Sequence, residues 1–320
     1  AIVDLERRGY DAAFTAEINN EPFFPLVLAA EHSETIKLTT SISVAFARNP
    51  MTLANLAWDL NHYSRGRFSV GLGSQIKPHI TRRFSMPWSK PAARMREFIQ
   101  AMQAIWACWE TGEKLDFNGE FYRHDLMTPM FTARNSEFGA PGVNLAAVGP
   151  LMTEVAGEVA NGVIAHGFTT ANYLREVTLP AVERGLKKSG RNRDEFEVCI
   201  PAMVVAGVTE EAFEQSRAAI RGQVAFYAST PAYRPVLELH GWGDLQAEAH
   251  TLTRENRWED MGSLITDDIL ATFAIVAEDI EQVPTLLVER YGGLADTWMC
   301  TVETGDEDLQ KQLVAAVQAT

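Results

Sequence analysis

A chain of 320 residues with a 46% hydrophobic share can bury a large core, as two average domains or as one α/β barrel of about 250 residues or more. Its 28 basic and 42 acidic residues leave a net charge of −14, which argues against nonspecific nucleic-acid binding. No apolar run approaches the roughly 20 residues of a membrane-spanning helix, and the widely spaced Cys108, Cys199 and Cys300 suit buried thiols in a reducing cytoplasm.

The chain opens AIVDLERRGYD, without an initiator Met, a basic n-region or an apolar h-region, and reads as starting inside a helix. AAFTAE, ending near Glu17, is the first predicted strand. The β-branched run IKLTTSISVAF follows, and Asn49 with Pro50 then suits the N-cap and first position of a helix that ends near Gly66. RFSVGLG is the next strand. An insertion over about residues 74–142 holds a helix whose Met95, Phe98, Met102, Ile105 and Trp109 keep 3–4 spacing, and a turn at Asn118-Gly119. GVNLAAVG then forms a strand that ends at Gly149, with Pro150 opening a helix. GVIAH is a strand ending at His166, and a helix closed by Gly190 follows it. EVCIPAMVVAGV reads as one strand, and Thr209-Glu210-Glu211 starts a helix with acid in its first turn. Residues 233–268 show no clear period, residues 279–290 read as a helix, and ADTWMCTV is a final strand.

Strands alternating with helices imply a parallel sheet with right-handed crossovers. Seven strands are predicted, near Ala13, Thr40, Val70, Leu145, Val163, Val204 and Trp298. A doubly wound open sheet accommodates seven, but the glycine fingerprint usual in its first βα turn is absent. The favoured reading is an α/β (β/α)8 TIM barrel, a single domain over 1–320 with the insertion after strand four. Its eighth strand, the first in barrel order, is expected to precede residue 1.

In such a barrel the C-terminal ends of the strands build the active site, and the opposite face supplies stability. Glu17, residues 41–48, residues 73–79, Gly149-Pro150 and His166 all follow strands, whereas Arg65 and Arg67 precede theirs and read as structural. Glu17 is a carboxylate at a strand end. His79 and His166 are placed for proton transfer or for hydrogen bonding to a ligand, or are satisfied structural histidines. Gly149-Pro150 offers free N–H groups to a phosphate, or is an ordinary βα turn. GLGSQI has Ile76 where a dinucleotide fingerprint needs glycine. Six basic residues and no acid lie between Ser74 and Arg96, either a solvated face or a loop that meets an anion. No metal-ligand spacing and no serine-hydrolase elbow occurs, so a cofactor is expected to carry the chemistry.

The run TTSISVAFARNPMTLANLAWDLNHYSRGRFSVGLGS resembles the signature of the luciferase-like monooxygenase superfamily, with its strand, Arg-x-Pro turn, helix and GLG strand in order. AVGPLMTEVAGEVANGVIAHG, FNGEFY and YGGLADTWMC resemble further blocks of it. Within the superfamily the likeness is to oxidoreductases that use the deazaflavin coenzyme F420. The resemblance implies a (β/α)8 barrel, a flavin-type ring in its mouth, and hydride transfer at C5 of a deazaflavin or N5 of FMN. It matches Ser41-Ile42 to a non-prolyl cis peptide that backs the ring, and Glu17 to a polar position beside it. Ser74, Gln75 and His79 match the loop that lines the ring and substrate space, and Val148 and Gly149 match the phosphate or side-chain loop. His166 joins the cofactor-binding set, while Glu17 and His79 are the catalytic candidates. Ile76 stands where the sugar-phosphate dehydrogenases of the family carry a catalytic glutamate, so their substrate does not transfer. The basic stretch suits the polyanionic tail of F420. The expected protein is a cytoplasmic homodimer that moves a hydride between F420 and a small organic substrate, without metal, nucleic acid or membrane. An FMN-dependent monooxygenase fed by a separate reductase, and a non-catalytic barrel acting as a partner subunit, are the alternatives.

Overall fold

Short apolar runs bounded by turn residues decide where the strands form. The computed structural model describes residues 1–134, 136–300, 302 and 304–319. Its strands are β1 (Ala12–Thr15), β2 (Lys37–Thr40), β3 (Ser43–Val44), β4 (Phe68–Gly73), β5 (Phe117–Asn118), β6 (Arg123–His124), β7 (Gly142–Ala147), β8 (Gly162–Ala165), β9 (Glu197–Pro201), β10 (Met203–Val205), β11 (Ala274–Val276) and β12 (Thr297–Met299). All seven predicted strand centres fall inside strands, and the first element is the helix Ile2–Arg7. The chain forms two compact units, Ala1–Ile164 with Ala181–Glu197, and Ala165–Pro180 with Val198–Thr320.

In the first unit the sheet runs β1-β2-β4-β7-β8, and the short β3 also pairs with β4. The pairs β1–β2, β2–β4 and β4–β7 are parallel, with Ala13 opposite Leu38, Leu38 opposite Phe68 and Val70 opposite Val143. Parallel neighbours need long crossovers, which the helices Phe23–His32, Pro50–Tyr63 and Pro91–Thr111 supply. Asn49 caps the second of these, its side-chain oxygen accepting from the Thr52 N–H at 2.9 Å, and Pro50 begins it as expected. The helix of the insertion buries Met95, Phe98, Met102, Ile105 and Trp109, the five residues whose spacing predicts it. Each such side chain contributes about 2 kcal/mol of hydrophobic stabilisation. The turn expected at Asn118-Gly119 closes the antiparallel hairpin β5–β6, where the Glu97 carboxylate accepts from the N–H groups of Glu120, Phe121 and Tyr122.

Arg67 occupies the opposite end of β4 from the Gly71-Leu72-Gly73 step. Its guanidinium donates to the carbonyls of Ala30, Ser33, Ile36 and Ser64 and to the Ser33 hydroxyl, at 2.8–3.1 Å. That network ties three segments together and confirms a structural role. Gly71 and Gly73 are set by close approach. A Cβ on Gly71 would lie 1.8 Å from the Thr40 carbonyl oxygen, and one on Gly73 would lie 2.8 Å from the Ile42 side chain. The Thr40 hydroxyl also accepts from the Gly71 N–H at 3.0 Å and donates to the Gly71 carbonyl at 2.7 Å.

In the second unit β9 pairs in parallel with β12, and β10 pairs in parallel with β11 in a separate two-stranded sheet. The single strand expected over residues 197–208 is therefore two. Pro201, lacking an N–H, ends the first, and the chain takes a different partner from Met203 onward. Residues 233–268 hold the helices Arg234–Leu239, Gly243–Arg254 and Trp258–Met261, which bury Val236, Leu237, Ala249 and Leu252 in a core with Val205, Val224 and Phe273. The final strand is shorter than ADTWMCTV, and residue 301 of that run lies outside the described residues.

A Gly71→Ala substitution is expected to cost at least about 2 kcal/mol, since backbone rather than a flexible side chain must move. Gly222 lies in the helix Glu210–Ala228, where a Cβ meets nothing within 4 Å. Gly222→Ala is expected to gain about 0.5–1 kcal/mol. Urea denaturation of the two variants beside the wild type measures both.

Candidate cofactor site

Four neighbouring strands of the first unit, β1, β2, β4 and β7, run parallel and so present their C-terminal ends along one edge. Glu17, Ser41-Ile42, Ser74-Gln75 and Val148-Gly149 follow these ends, which brings seven of the nine predicted site residues onto one edge. The Ser41–Ile42 peptide is cis. It is held on both sides by the chain leaving β1, with the Ser41 N–H on the Thr15 carbonyl at 2.7 Å and the Ile42 carbonyl accepting from the Glu17 N–H at 3.0 Å.

Glu17 is engaged at one oxygen. Its Oε2 accepts from Arg48 Nη1 at 2.6 Å, from the Val44 N–H at 2.7 Å and from the Ser43 hydroxyl at 3.4 Å. Arg48 also bonds Glu21 Oε2 at 2.8 Å, and its guanidinium lies 5.5 Å from the centre of the Phe23 ring. The Glu17 side chain is 9% exposed and that of Arg48 is 15% exposed, so the pair is largely withdrawn from water. Glu17, expected to be catalytic, thus has one carboxylate oxygen held by Arg48 and by the loop that it borders. Arg48, the first residue of the Arg-x-Pro turn, is the partner that residue-by-residue reading misses.

The loop after β4 is more open. The Ser74 hydroxyl donates to the Gln75 carbonyl at 3.2 Å. Gln75 takes φ 56° and turns its own side-chain oxygen onto the Ile76 N–H at 2.9 Å. Ile76 is 47% exposed, and Lys77 and His79 are exposed beside it. The His79 ring makes no hydrogen bond among the described residues, in contrast with Glu17. The six basic residues of this stretch do not form one face. Arg94 is buried against the Pro87 carbonyl, the Tyr122 hydroxyl and the Phe46 ring. Arg96 pairs with Glu158 at 2.9 Å, Lys90 pairs with Glu120 at 2.7 Å, and Arg83 donates to the Ile18 carbonyl at 2.7 Å. Lys77 and Arg82 are the members without such a partner among the described residues. Trp88 packs edge-on against Phe46, at 5.9 Å between ring centres.

Gly149 is the N-cap of the helix Pro150–Val159, which has neither a side-chain cap nor an acid in its first turn. A Cβ on Gly149 would meet nothing within 4 Å. The N–H groups at this helix end are thus open to water or to an anion.

His166 belongs to the second unit and has its own partners. Its Nδ1 accepts from the Phe168 N–H at 3.0 Å, and its Nε2 lies 3.0 Å from the Tyr233 hydroxyl. The rings of Tyr233 and Tyr227 stand 4.4 and 4.7 Å from it. Both ring nitrogens of His166, expected in the cofactor-binding set, are therefore engaged inside the protein. Burial pushes its pKa down to about 4 and that of Tyr233 up to about 12, so both are neutral near pH 7. Tyr227 and Tyr233 escape sequence reading because they flank the segment without a clear period. Among the described residues no group of three or more His, Cys, Asp or Glu side chains is placed to hold a metal, and no helix is long and apolar enough to cross a membrane.

The profile of the family described as luciferase-like monooxygenase matches residues 1–316. The chain is 52% identical over 296 residues to an uncharacterized protein of Mycobacterium tuberculosis, covering 92% of this chain and 87% of that one. It is 25% identical to a putative coenzyme F420-dependent oxidoreductase of the same organism, over 99% of this chain and 93% of the relative. The solved structure of the coenzyme F420-dependent tetrahydromethanopterin reductase from Methanopyrus kandleri superposes with a TM-score of 0.76 at 22% identity, covering 98% of this chain and 92% of that one. The fold is thus the TIM-barrel-like α/β fold expected from the sequence.

The neutral His166 gives stability a pH slope. As pH falls below 6.5 the unfolded chain takes up a proton at this ring, while the folded chain resists until about pH 4. Stability from this group is therefore complete above pH 6.5 and lost on acidification, by about 2 kcal/mol at pH 5. Urea titrations at pH 7 and about pH 5 should show His166→Gln losing less than the wild type by that amount.

Proposed function

Because the chain belongs to the luciferase-like monooxygenase family, we propose that it is an oxidoreductase that moves a hydride between coenzyme F420 and a small organic substrate, at the loops following β1, β2, β4 and β7. The observation that carries the cofactor choice is an uncapped helix end at Gly149, following β7, together with the cations Lys77 and Arg82 in the segment that follows the adjacent strand β4. A polyanionic tail fits that donor set, and the F420-dependent relative of similar length supports it.

When bound, a deazaflavin supplies two-electron hydride chemistry. The chain's own residues hold and orient it. The N–H groups beyond Gly149 and the adjoining Val148 would take the anionic portion. Ser41-Ile42 would back the ring, and Ser74 and Gln75 would border it, with Gly73 keeping Ile42 in place through close contact. Glu17 and Arg48 would fix the cis peptide's loop. His79, whose ring is exposed, is the group left to hold or release a proton at a ring nitrogen. The helix Phe23–His32 exposes Phe24 and Leu28, at 74% and 63%, an apolar stripe that supports the expected homodimer.

Titration of the protein with F420 and with FMN, followed by fluorescence, tests the cofactor. Binding of F420 in preference to FMN is expected. Binding of FMN alone would favour the monooxygenase alternative, and binding of neither would favour the partner-subunit alternative. Gly149→Asp sharpens the test. Aspartate is a better N-cap than glycine, so stability should hold or rise by a few tenths of a kcal/mol. The added anion should weaken F420 binding about tenfold. Unchanged F420 affinity would remove Gly149 from the site.

A further inference from the structure

The tautomer of His166 can be assigned from its partners. The Phe168 N–H occupies the Nδ1 lone pair, so the single proton of the neutral ring sits on Nε2. Nε2–H then donates to the Tyr233 oxygen at 3.0 Å. The hydroxyl hydrogen of Tyr233 must turn away from His166, and no acceptor among the described residues takes it. The phenol ring cannot swing to find one. It lies between His166 at 4.4 Å, Phe168 at 5.8 Å and Tyr227 at 6.0 Å, measured between ring centres. Tyr233 is nevertheless only half-buried, so this hydrogen is not sealed off from ligands.

The chemistry of the surroundings narrows what such a donor can receive. Among the described residues, no Lys, Arg, Asp or Glu bonds to His166, Tyr227 or Tyr233. The Tyr227 hydroxyl meets the uncharged side chain of Gln223 at 3.3 Å. A carboxylate or phosphate would arrive without a counter-charge, at a desolvation cost a single neutral donor does not offset. A carbonyl or hydroxyl oxygen accepts one hydrogen bond without that cost, and the aromatic walls suit its carbon skeleton.

We infer that Tyr233 is a ligand-binding residue that donates its hydroxyl hydrogen to an uncharged carbonyl or hydroxyl oxygen of a small organic ligand, and that His166 is the positioning residue fixing the direction of that bond. The inference goes beyond the proposed function and concerns a ligand of the second unit. The Phe168 N–H, His166 and Tyr233 form one directed chain whose open end is the ligand oxygen.

The test reads binding on the full chain without cofactor, by ligand-observed NMR with cyclohexanone, cyclohexanol and cyclohexanecarboxylate as probes. The wild type is expected to bind the ketone and the alcohol more tightly than the carboxylate. Tyr233→Phe keeps the ring and its packing and should weaken the neutral probes about fivefold to tenfold. His166→Leu should weaken them in the same direction, and His166→Gln, whose amide N–H can still reach the Tyr233 oxygen, should restore binding. A merely structural histidine would not produce that rescue. In nitrogen-15 spectra of the wild type, His166 should show a protonated Nε2 and a bare Nδ1. The inference is overturned if Tyr233→Phe binds the neutral probes as the wild type does, if no neutral probe binds, or if Nδ1 carries the proton. A Tyr233→Phe effect in a protein that binds neither F420 nor FMN would end the proposed function and leave this inference standing.

Discussion

An ion pair between two largely buried side chains, Glu17 and Arg48, joins the loop after β1 to the turn that launches the helix Pro50–Tyr63. Withdrawing both charges from water is costly, and the attraction between them offsets that only when the remaining donors and acceptors are satisfied. Here the Val44 N–H and Ser43 hydroxyl complete one oxygen of Glu17, and Glu21 takes the other arm of the Arg48 fork. The consequence for chemistry is a separation of duties. The carboxylate nearest the cis peptide is committed to a charge partner, and the neighbouring strand loop carries the uncommitted His79. The ion pair ties down the backbone beside the cis peptide, while the His79 ring stands exposed.

The second unit solves a related problem without charge. A histidine at the end of β8, a tyrosine from a short turn, and a backbone N–H form a directed chain in which every member is neutral. Direction comes from one main-chain donor two residues beyond the histidine, so the orientation of a phenol is set by local backbone geometry. Burial, which would make an ion pair here expensive, is what keeps both rings uncharged.

How much of this was legible in the sequence follows from the range of the interactions. Strand centres could be read because each is an apolar run closed by local turn residues, and the helix of the insertion because its spacing is local. Residues 197–208 misled because a single apolar run serves two sheets, and nothing local marks the change of partner beyond Pro201. Residues 233–268 misled because short helices joined by tight turns offer too few periods to recognise. The edge on which Glu17, Ser41, Ser74 and Gly149 gather was readable from strand order. What Glu17 does was not, because Arg48 is 31 positions away in sequence. His166 was placed at its strand end for the same reason, and its partner Tyr233, 67 positions away, was not legible. The basic run between Ser74 and Arg96 shows the converse. Charges that adjoin in sequence were dispersed by the fold to separate acids, carbonyls and an aromatic face.

The contact between Thr40 and Gly71 bears on how this protein can change. The threonine's main-chain carbonyl occupies the room a side chain at position 71 would take, and its hydroxyl bonds both main-chain groups of that glycine. Neither position can be altered alone without either a collision or a pair of stranded backbone groups. The two therefore behave as one heritable unit, and a route from this sequence to one with any larger residue at 71 must reposition the Thr40 backbone on the way.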